Sequence, residues 1–136
     1  MQLENKVAIV TGGASGLGAG ISEVLVQRGA DVIVADINVE GAQRVANELG
    51  GYGRKVKGCK VDVTKRSQIQ DMMEDIRSEF HAVDILVNAA GVIGAPGFED
   101  AIGSREEDWE LTVSIKVMAT VLASEVGADL MKEKGG

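Results

Sequence analysis

The chain has 136 residues, of which 45% are hydrophobic and 26% are charged, and its formal net charge is −7 at pH 7. These values describe one globular domain over residues 1–136 and argue against a nucleic-acid or anionic-membrane partner. No apolar run reaches the roughly eighteen residues that a membrane-spanning helix needs. The single cysteine, Cys59, permits no internal disulfide, which fits a reducing cytoplasm, and we expect it to be a buried strand residue.

Short apolar runs alternate with helical patterns along the chain. Four runs are predicted to be strands: 6–11, 30–36, 55–63 and 83–91, the last of which ends in a turn. The first is predicted to be buried on both faces, since its apolar residues barely alternate with polar ones, and the second is also predicted to be buried. Helices are predicted from the glycine-rich turn to about Arg28, over 39–49, from a Thr64 cap to Phe80, and from the Ser104 capping box to about Lys134, after a loop at 92–103. This alternation predicts an α/β fold with a parallel sheet and helices on both faces.

The helical patterns also predict which side chains face the core. In the first helix, one apolar side is formed by Ile21, Val24 and Leu25. In the second, Val45 and Leu49 lie four residues apart, and Gly50-Gly51 stops the helix. The third carries a longer apolar stripe: Ile69, Met72, Met73, Ile76 and Phe80.

A glycine-rich stretch, "TGGASGLG" at 11–18, joins the first strand to the first helix. Gly12 permits a tight turn, and Gly16 and Gly18 let the backbone approach a ligand and the sheet closely. The free N–H groups at the helix start attract an anion, for which a pyrophosphate is the natural candidate. The alternative is a loop that needs glycines for its turn alone.

Polar side chains end the next three predicted strands. Asp36 ends the second strand, and its carboxylate can accept both hydroxyls of an adenosine ribose while it repels a 2′-phosphate. Asp62 ends the third strand and Asn88 ends the fourth. Asp62 is alternatively a turn-forming or capping residue, and Asn88 alternatively satisfies local backbone groups. Together with the glycine loop, they favour a dinucleotide site at this edge of the sheet.

The motifs together resemble those of the short-chain dehydrogenase/reductase family. They are the spacing Gly12-x3-Gly16-x-Gly18 after Thr11, then Asp62-Val63, then "NAAG" at 88–91, in order along the chain. The resemblance implies a Rossmann-type sheet with strand order 3-2-1-4. It also implies an NAD-dependent oxidoreductase that interconverts a secondary alcohol and a ketone by hydride transfer.

The resemblance assigns cofactor contacts to particular positions. Asp36, with no basic residue at Ser15 or Ile37, points to NAD rather than NADP as the cofactor. The expected contacts run from the phosphate loop through the adenosine to the nicotinamide ribose: Gly12, Ser15, Gly16, Leu17, Gly18, Asp36, Ile37, Asp62, Val63, Asn88, Ala89, Ala90 and Gly91.

No catalytic residue is predicted within the chain. The family uses a tyrosine with a lysine four residues later, a serine, and an asparagine in the long helix. The single tyrosine, Tyr52, is followed four residues later by Val56, and we interpret it as a loop or packing residue. Lys116 stands where the asparagine is expected, and His81 lies in a turn at the opposite end of the sheet.

Two functional hypotheses follow. In the first, the chain is the N-terminal cofactor-binding part of such an enzyme, ending before a fifth strand and predicted to be inactive alone. In the second, it is a complete, non-catalytic NAD-binding or dimerising module. A nucleotide-binding methyltransferase fits the glycine spacing and the Asn88 turn less well. The identity of the alcohol or ketone substrate is not predicted, and 92–103 suggests only a flexible wall to its site.

The predicted long helix bears on assembly. Its apolar residues over 108–133 surround most of its circumference, which predicts burial on more than one side. Related enzymes pair subunits through this helix, so the resemblance implies a homo-oligomer. The fourth strand, at 83–88, would otherwise leave an apolar edge that is prone to aggregation.

Overall fold

A computed structural model describes residues 3–80 and 83–89, where four parallel strands form one sheet and three α-helices pack on it. In chain order the elements are β1 Val7–Thr11, α1 Gly16–Gln27, β2 Asp31–Asp36, α2 Val39–Leu49, β3 Val56–Lys60, α3 Arg66–Phe80 and β4 Ile85–Asn88. A short 3-10 turn, Gly50–Tyr52, follows α2 at the predicted stop. The predictions for His81, for the loop at 92–103 and for the helix at 104–134 lie outside the described residues.

The strand order is β3-β2-β1-β4, which confirms the predicted order and the Rossmann-type fold. β1 lies in the middle and pairs in parallel with both β2 and β4, so Ala8 faces Val32 on one side and Ile85 on the other. The chain moves outward from β1 to β3 and then crosses back to β4. This reversal beside β1 is the place where sheets of this kind bind ligands, at the carboxyl ends of the strands.

The core has one layer on each face of the sheet, because successive strand residues point to opposite faces. α1 and α2 cover one face, where they bury Ala8, Val10, Val32 and Val34. α3 covers the other face with the predicted stripe of Ile69, Met72, Met73, Ile76 and Phe80, packed on Ile9 and Ile33. Each fully buried aliphatic side chain contributes roughly 1.5–3 kcal/mol relative to exposure. No helix of the described part is long and apolar enough to cross a membrane.

The prediction that Asp62 ends the third strand is wrong. β3 ends at Lys60, and the last ladder contact is the hydrogen bond from the Val61 N–H to the Asp36 carbonyl, 3.0 Å long. Beyond Asp36 the neighbouring strand turns away into α2, so β3 has no partner with which to continue. Asp62 therefore lies in the loop between β3 and α3.

The prediction that Thr64 caps the third helix is also wrong. α3 begins at Arg66, and the Thr64 hydroxyl donates a hydrogen bond to Asp62 Oδ1 at 2.6 Å instead of accepting one from the helix.

The buried side of α1 differs from the predicted apolar side. Its buried residues are Gly18, Ser22 and Val26, whereas Val24 is 51% exposed. The predicted Ile21 and Leu25 are half-buried at the margin of the core. Small residues occupy the contact because α1 begins close against the glycine-rich turn.

Candidate functional site

The carboxyl ends of β1, β2 and β4 lie level with one another. Thr11 pairs with Ala35 of β2 on one side and with Asn88 of β4 on the other. The Ala89 N–H donates to the Thr11 carbonyl at 3.0 Å, which carries the β4 chain past the end of β1. Asp36 and Asn88 each end a strand, as predicted, and both strands flank the turn that follows Thr11.

The first half of the glycine loop is bound to β2. The N–H groups of Gly12 and Gly13 both donate to the Ala35 carbonyl, at 2.8 and 3.2 Å. Gly12 has φ of 73°, a conformation that favours glycine. A Cβ on Gly13 would lie 2.8 Å from Val34 Cγ1. Sequence analysis did not identify Gly13, although the Gly-Gly doublet was the available signal.

Gly18 lets the first turn of α1 press against the loop that precedes it. A Cβ at this position would lie 2.0 Å from the Gly12 carbonyl oxygen, which no side chain can tolerate without a backbone shift. The Ser22 hydroxyl donates to the Gly18 carbonyl at 2.9 Å, one turn further along the helix. Gly18 therefore has the close-packing role that its position in the motif predicts.

In the second half of the loop, Ser15, Gly16 and Leu17 are exposed, whereas Gly18 is buried. Ser15 is the N-cap residue of α1, but its side chain makes no cap hydrogen bond, and the first turn carries no acidic residue. Among residues 3–80 and 83–89, no hydrogen bond uses the N–H groups of Gly16, Leu17 or Gly18. Gly16 has φ of 56°, and a Cβ built on it would meet no atom within 4 Å beyond its chain neighbours. The N–H groups of the exposed Gly16 and Leu17, at the positive end of a helix dipole, fit a phosphate group.

The Asp36 carboxylate lies beside this loop and is partly buried. Oδ2 accepts the Ala14 N–H at 3.0 Å, and Oδ1 accepts the Asn38 N–H at 3.0 Å. Each carboxylate oxygen has a second lone pair, so both can still accept a hydroxyl. Sequence analysis did not identify Ala14 or Asn38; Asn38 caps α2 by accepting the Gly41 N–H at 3.0 Å, and an Asn just before a helix was the signal.

The Asp62 carboxylate shapes the loop after β3. Oδ1 accepts both the hydroxyl and the N–H of Thr64, at 2.6 and 3.0 Å, which is the turn-forming role that sequence analysis left open. The Thr64 hydroxyl bond lowers the pKa of Asp62, with smaller contributions from the Thr64 N–H and the Lys65 charge, against the opposing effect of burial. The group therefore stays ionised at neutral pH, and Oδ2 remains an acceptor.

Two large apolar side chains are exposed at the same edge of the sheet. Leu17 is 76% exposed and Ile37 is 61% exposed, and they follow the outward-facing Gly16 and the strand-ending Asp36 respectively. Exposed apolar groups beside free polar donors suit a ligand that has both a flat apolar part and charged groups. Both residues belong to the predicted cofactor contacts.

Of the remaining predicted contacts, Val63 and Ala89 lie within the described residues. The Val63 side chain is 8% exposed and packs in the core under α3, so its backbone is the part that can face a ligand. Ala89 follows β4 and packs at the margin of the α1 and α2 layer. Ala90 and Gly91 lie outside the described residues.

Tyr52 is a surface residue on the 3-10 turn, which agrees with its interpretation as a loop residue. Its hydroxyl donates to Glu23 Oε1 at 3.0 Å and accepts from Gln27 Nε2 at 3.1 Å, both on α1. Lys116 lies outside the described residues. Within the part that the structure describes, no group of three or more His, Cys, Asp and Glu residues is placed to hold a metal ion.

A groove of about 220 Å³ lies between β3 and α3. None of its lining residues belongs to the predicted cofactor contacts: Ile33, Lys57, Cys59, Lys60, Gln68, Asp71, Met72, Asp75 and Ile76. Cys59 lies in β3, as predicted, but it is partly buried and not fully buried. Burial raises the pKa of Cys59 to about 11, so its thiol is protonated at neutral pH.

The sequence is similar to those of known dehydrogenases and reductases. The short chain dehydrogenase family matches residues 6–136. D-threitol dehydrogenase from Mycolicibacterium smegmatis is 38% identical over 136 residues, covering 99% of this chain and 51% of that protein. The 3-oxoacyl-[acyl-carrier-protein] reductase FabG of Escherichia coli is 36% identical, covering 100% of this chain and 54% of that protein. The chain thus spans about half the length of the curated relatives it matches.

Solved structures share the fold. A hydroxysteroid dehydrogenase from Escherichia coli superposes with a TM-score of 0.87 at 30% identity, covering 99% of this chain and 56% of that chain. A 7α-hydroxysteroid dehydrogenase in complex with NADH and 7-oxo glycochenodeoxycholic acid superposes with a TM-score of 0.86 at 30% identity, covering 99% and 51%. By its sequence, its strand order and its glycine loop, this chain belongs to the short chain dehydrogenase family.

Proposed function

We propose that this chain binds NAD and carries the cofactor-binding residues of an oxidoreductase that interconverts a secondary alcohol and a ketone. One observation carries the proposal: outward N–H donors at the start of α1 lie beside a strand-ending carboxylate, Asp36. The donors suit a pyrophosphate, and the carboxylate suits the hydroxyls of an adenosine ribose.

In this proposal each part of NAD has its own set of residues. The pyrophosphate lies over Ser15 and Gly16. This position is open, because a Cβ built on Gly16 would meet no atom within 4 Å. The adenosine lies between the exposed Ile37 and the loop of Asp62. Toward the nicotinamide ribose the chain offers 88–91. The full set is Gly12, Ser15, Gly16, Leu17, Gly18, Asp36, Ile37, Asp62, Val63, Asn88, Ala89, Ala90 and Gly91.

The preference for NAD over NADP rests on charge. A 2′-phosphate on the adenosine ribose would lie against the Asp36 carboxylate, and no ion pair within the described residues neutralises that carboxylate. Neither Ser15 nor Ile37 offers a cation in its place. The NADH bound in the related 7α-hydroxysteroid dehydrogenase supports the same choice.

The reaction class is supported by the relatives, which include a D-threitol dehydrogenase, a 3-oxoacyl reductase and hydroxysteroid dehydrogenases. When bound, NAD supplies or accepts the hydride. A proton must also move at the substrate oxygen, and the sequence holds no Tyr-x-x-x-Lys pair for this. The hydroxyl of its single tyrosine, Tyr52, is bound to Glu23 and Gln27 instead. We therefore propose that the 136 residues alone bind the cofactor without turnover.

The second candidate is a non-catalytic NAD-binding or dimerising module, in which Tyr52 likewise has no catalytic role. The two candidates differ in whether a substrate alcohol or ketone is ever converted. Detectable hydride transfer by the purified 136-residue chain would contradict both its predicted inactivity and the module hypothesis. We also propose a homo-oligomer through the 108–133 segment, a small-molecule substrate, and a cytoplasmic location.

Calorimetric titration of the purified chain with NAD and with NADP tests the proposal. We expect NAD to bind more tightly, and we expect Asp36→Ala to narrow the ratio of the two dissociation constants. The matched control is Asp31→Ala, which removes the same charge from the opposite end of β2. It should leave the ratio unchanged.

Each result has a distinct meaning. If neither dinucleotide binds at millimolar concentration, cofactor binding by this chain is wrong. If wild-type protein binds both equally, the assignment of Asp36 to the ribose is wrong. A changed ratio in Asp31→Ala would show that net charge, and not the position of Asp36, sets the preference.

A further inference from the structure

The Asp36 carboxylate joins two backbone segments that belong to different elements. Its Oδ2 binds the Ala14 N–H in the glycine loop, and its Oδ1 binds the Asn38 N–H at the start of α2, each at 3.0 Å. The Asn38 side chain in turn caps α2 through the Gly41 N–H. One side chain therefore connects the loop, the end of β2 and the cap of α2.

The Ala14 bond completes a series of three. Three consecutive N–H groups of the loop donate to the end of β2: Gly12 and Gly13 to the Ala35 carbonyl, and Ala14 to the Asp36 side chain. At the start of α1, the exposed Gly16 and Leu17 have N–H groups that make no hydrogen bond within the described residues. The bond to the Asp36 carboxylate is thus the last one that joins the loop to β2. The unused N–H donors of α1 begin two residues later.

Packing around Ala14 makes this anchor specific. Ala14 is 5% exposed, and a Cβ on Gly41 would lie 3.1 Å from the Ala14 methyl. The first turn of α2 thus packs against the Ala14 methyl, while the Asp36 carboxylate accepts the Ala14 N–H. These contacts restrict the backbone at Ala14, two residues before Gly16.

We propose that Asp36 is a positioning residue for the glycine loop, in addition to being the ribose acceptor. The consequence for cofactor binding rests on the proposed function, but the anchor itself does not, because both of its hydrogen bonds join residues of this chain. The anion-binding geometry of the loop and the choice between NAD and NADP then depend on one carboxylate. A substitution meant to admit a 2′-phosphate also loosens the loop that binds the pyrophosphate.

The consequence for affinity separates this proposal from a ribose-only role. With a ribose-only role, Asp36→Ala weakens NAD binding and strengthens NADP binding, since repulsion of the 2′-phosphate is lost. If Asp36 also anchors the loop, Asp36→Ala does not raise the affinity for NADP. The ratio of the two dissociation constants then narrows only because the affinity for NAD falls. The Ala14 and Asn38 N–H groups bind different carboxylate oxygens, and Asp36→Asn replaces one of these oxygens with an NH2 donor, so in the same geometry it keeps only one of the two bonds. Asp36→Asn should therefore lose less NAD affinity than Asp36→Ala.

Amide hydrogen exchange in the ligand-free protein, measured by NMR, tests the anchor directly. We expect the Ala14 N–H to exchange about tenfold faster or more in Asp36→Ala, with an intermediate rate in Asp36→Asn, since a charged acceptor protects an N–H strongly. Asp31→Ala is the control, because it removes a carboxylate that accepts the Lys55 N–H at the other end of β2. It should leave Ala14 unchanged.

The outcomes separate the anchor from the proposed function. Unchanged Ala14 exchange in both Asp36 variants overturns the anchor, while NAD binding by the wild type would still support the proposed function. Faster Ala14 exchange in a chain that binds no NAD supports the anchor and refutes the proposed function. If Asp36→Ala fails to fold, the Asp36→Asn rate relative to amides within β2 decides alone. An equal rise at all β2 amides would mean general destabilisation and would refute a local anchor.

Discussion

The two ends of the sheet use their carboxylates differently. At the amino end, Asp31 lies 3.4 Å from Arg54 Nε, and Glu79 pairs with both Lys55 and Lys57. At the carboxyl end, Asp36 and Asp62 accept from backbone N–H groups and a hydroxyl, and neither is in an ion pair within the described residues. Asp31 and Glu79 are thus paired with cations, whereas Asp36 and Asp62 are not.

This difference separates structural carboxylates from those that can still respond to a ligand. At the amino end, Asp31 and Glu79 are already in ion pairs, and Lys55 Nζ also lies 4.2 Å from the centre of the Phe80 ring. At the carboxyl end, uncompensated carboxylates lie beside uncompensated N–H donors and the exposed Leu17 and Ile37. Substitutions at the carboxyl end should therefore change cofactor binding, and those at the amino end should change stability alone.

The largest effect is expected from Gly18→Ala at the carboxyl end. The new methyl would lie 2.0 Å from the Gly12 carbonyl oxygen, so the loop or the helix must move. Forced overpacking of this kind costs roughly 1–3 kcal/mol, occasionally more, and the shift should abolish NAD binding. Urea unfolding and NAD titration measure the two effects.

Gly20→Ala is the matched control on the same helix. A Cβ there meets nothing within 4 Å, and alanine favours a helix interior by about 1 kcal/mol over glycine. We expect equal or higher stability and unchanged NAD affinity. If Gly18→Ala behaves like Gly20→Ala, the close contact between loop and helix does not exist in solution.

The sequence predicted the elements whose pattern is local. The apolar runs placed β1, β2 and β4, and with them Asp36 and Asn88, because a buried parallel strand shows as an uninterrupted apolar run. The stripe on α3 was equally clear, since all its core residues are large and spaced at helical intervals.

The sequence did not predict features that depend on a neighbouring element. β3 ends at Lys60 because β2 turns away, which no pattern within 55–63 reveals. The buried face of α1 contains Gly18 and Ser22 because of the close approach of the loop, so a search for apolar residues selected Val24 wrongly. The bond between Asp36 and Ala14 joins residues 22 positions apart, and no spacing rule predicts it.

At the amino end, Asp84→Ala should lower stability without affecting the cofactor. Asp84 Oδ2 accepts the partly buried Val7 N–H at 2.9 Å, at the start of the central strand. Leaving that N–H without its charged acceptor should lower the free energy of unfolding by about 1–3 kcal/mol. NAD affinity of the folded variant should equal that of the wild type. A loss of NAD affinity comparable to that of Asp36→Ala would show that the two ends are not functionally separate.

The smallest effect is expected for Glu79→Gln, and it appears in the dependence of stability on pH and salt. The hydrogen bond from Lys57 is the main cause that lowers the pKa of Glu79, and the same bond is the main cause that raises the pKa of Lys57. A lowered folded-state pKa means that the contribution of Glu79 is present above the ordinary glutamate pKa and is lost as pH falls through the folded value. A raised pKa means that the contribution of Lys57 is present below the ordinary lysine pKa and is lost as pH rises through the folded value.

The free energies of unfolding of wild type and Glu79→Gln should therefore differ most at neutral pH, between the folded-state pKa values of Glu79 and Lys57. They should become equal in acid. The difference should be small and should shrink further with added salt, because the pair is exposed and exposed pairs are screened.

At the carboxyl end, the pKa of Asp62 is lowered mainly by the uncharged Thr64 hydroxyl. The stability difference between wild type and Asp62→Asn should also disappear as pH falls, but it should depend much less on salt. Thermal unfolding of the three proteins across pH, at low and high salt, measures both differences. Equal salt sensitivity in the two variants would remove the distinction between an ion-paired end and a hydrogen-bonded end.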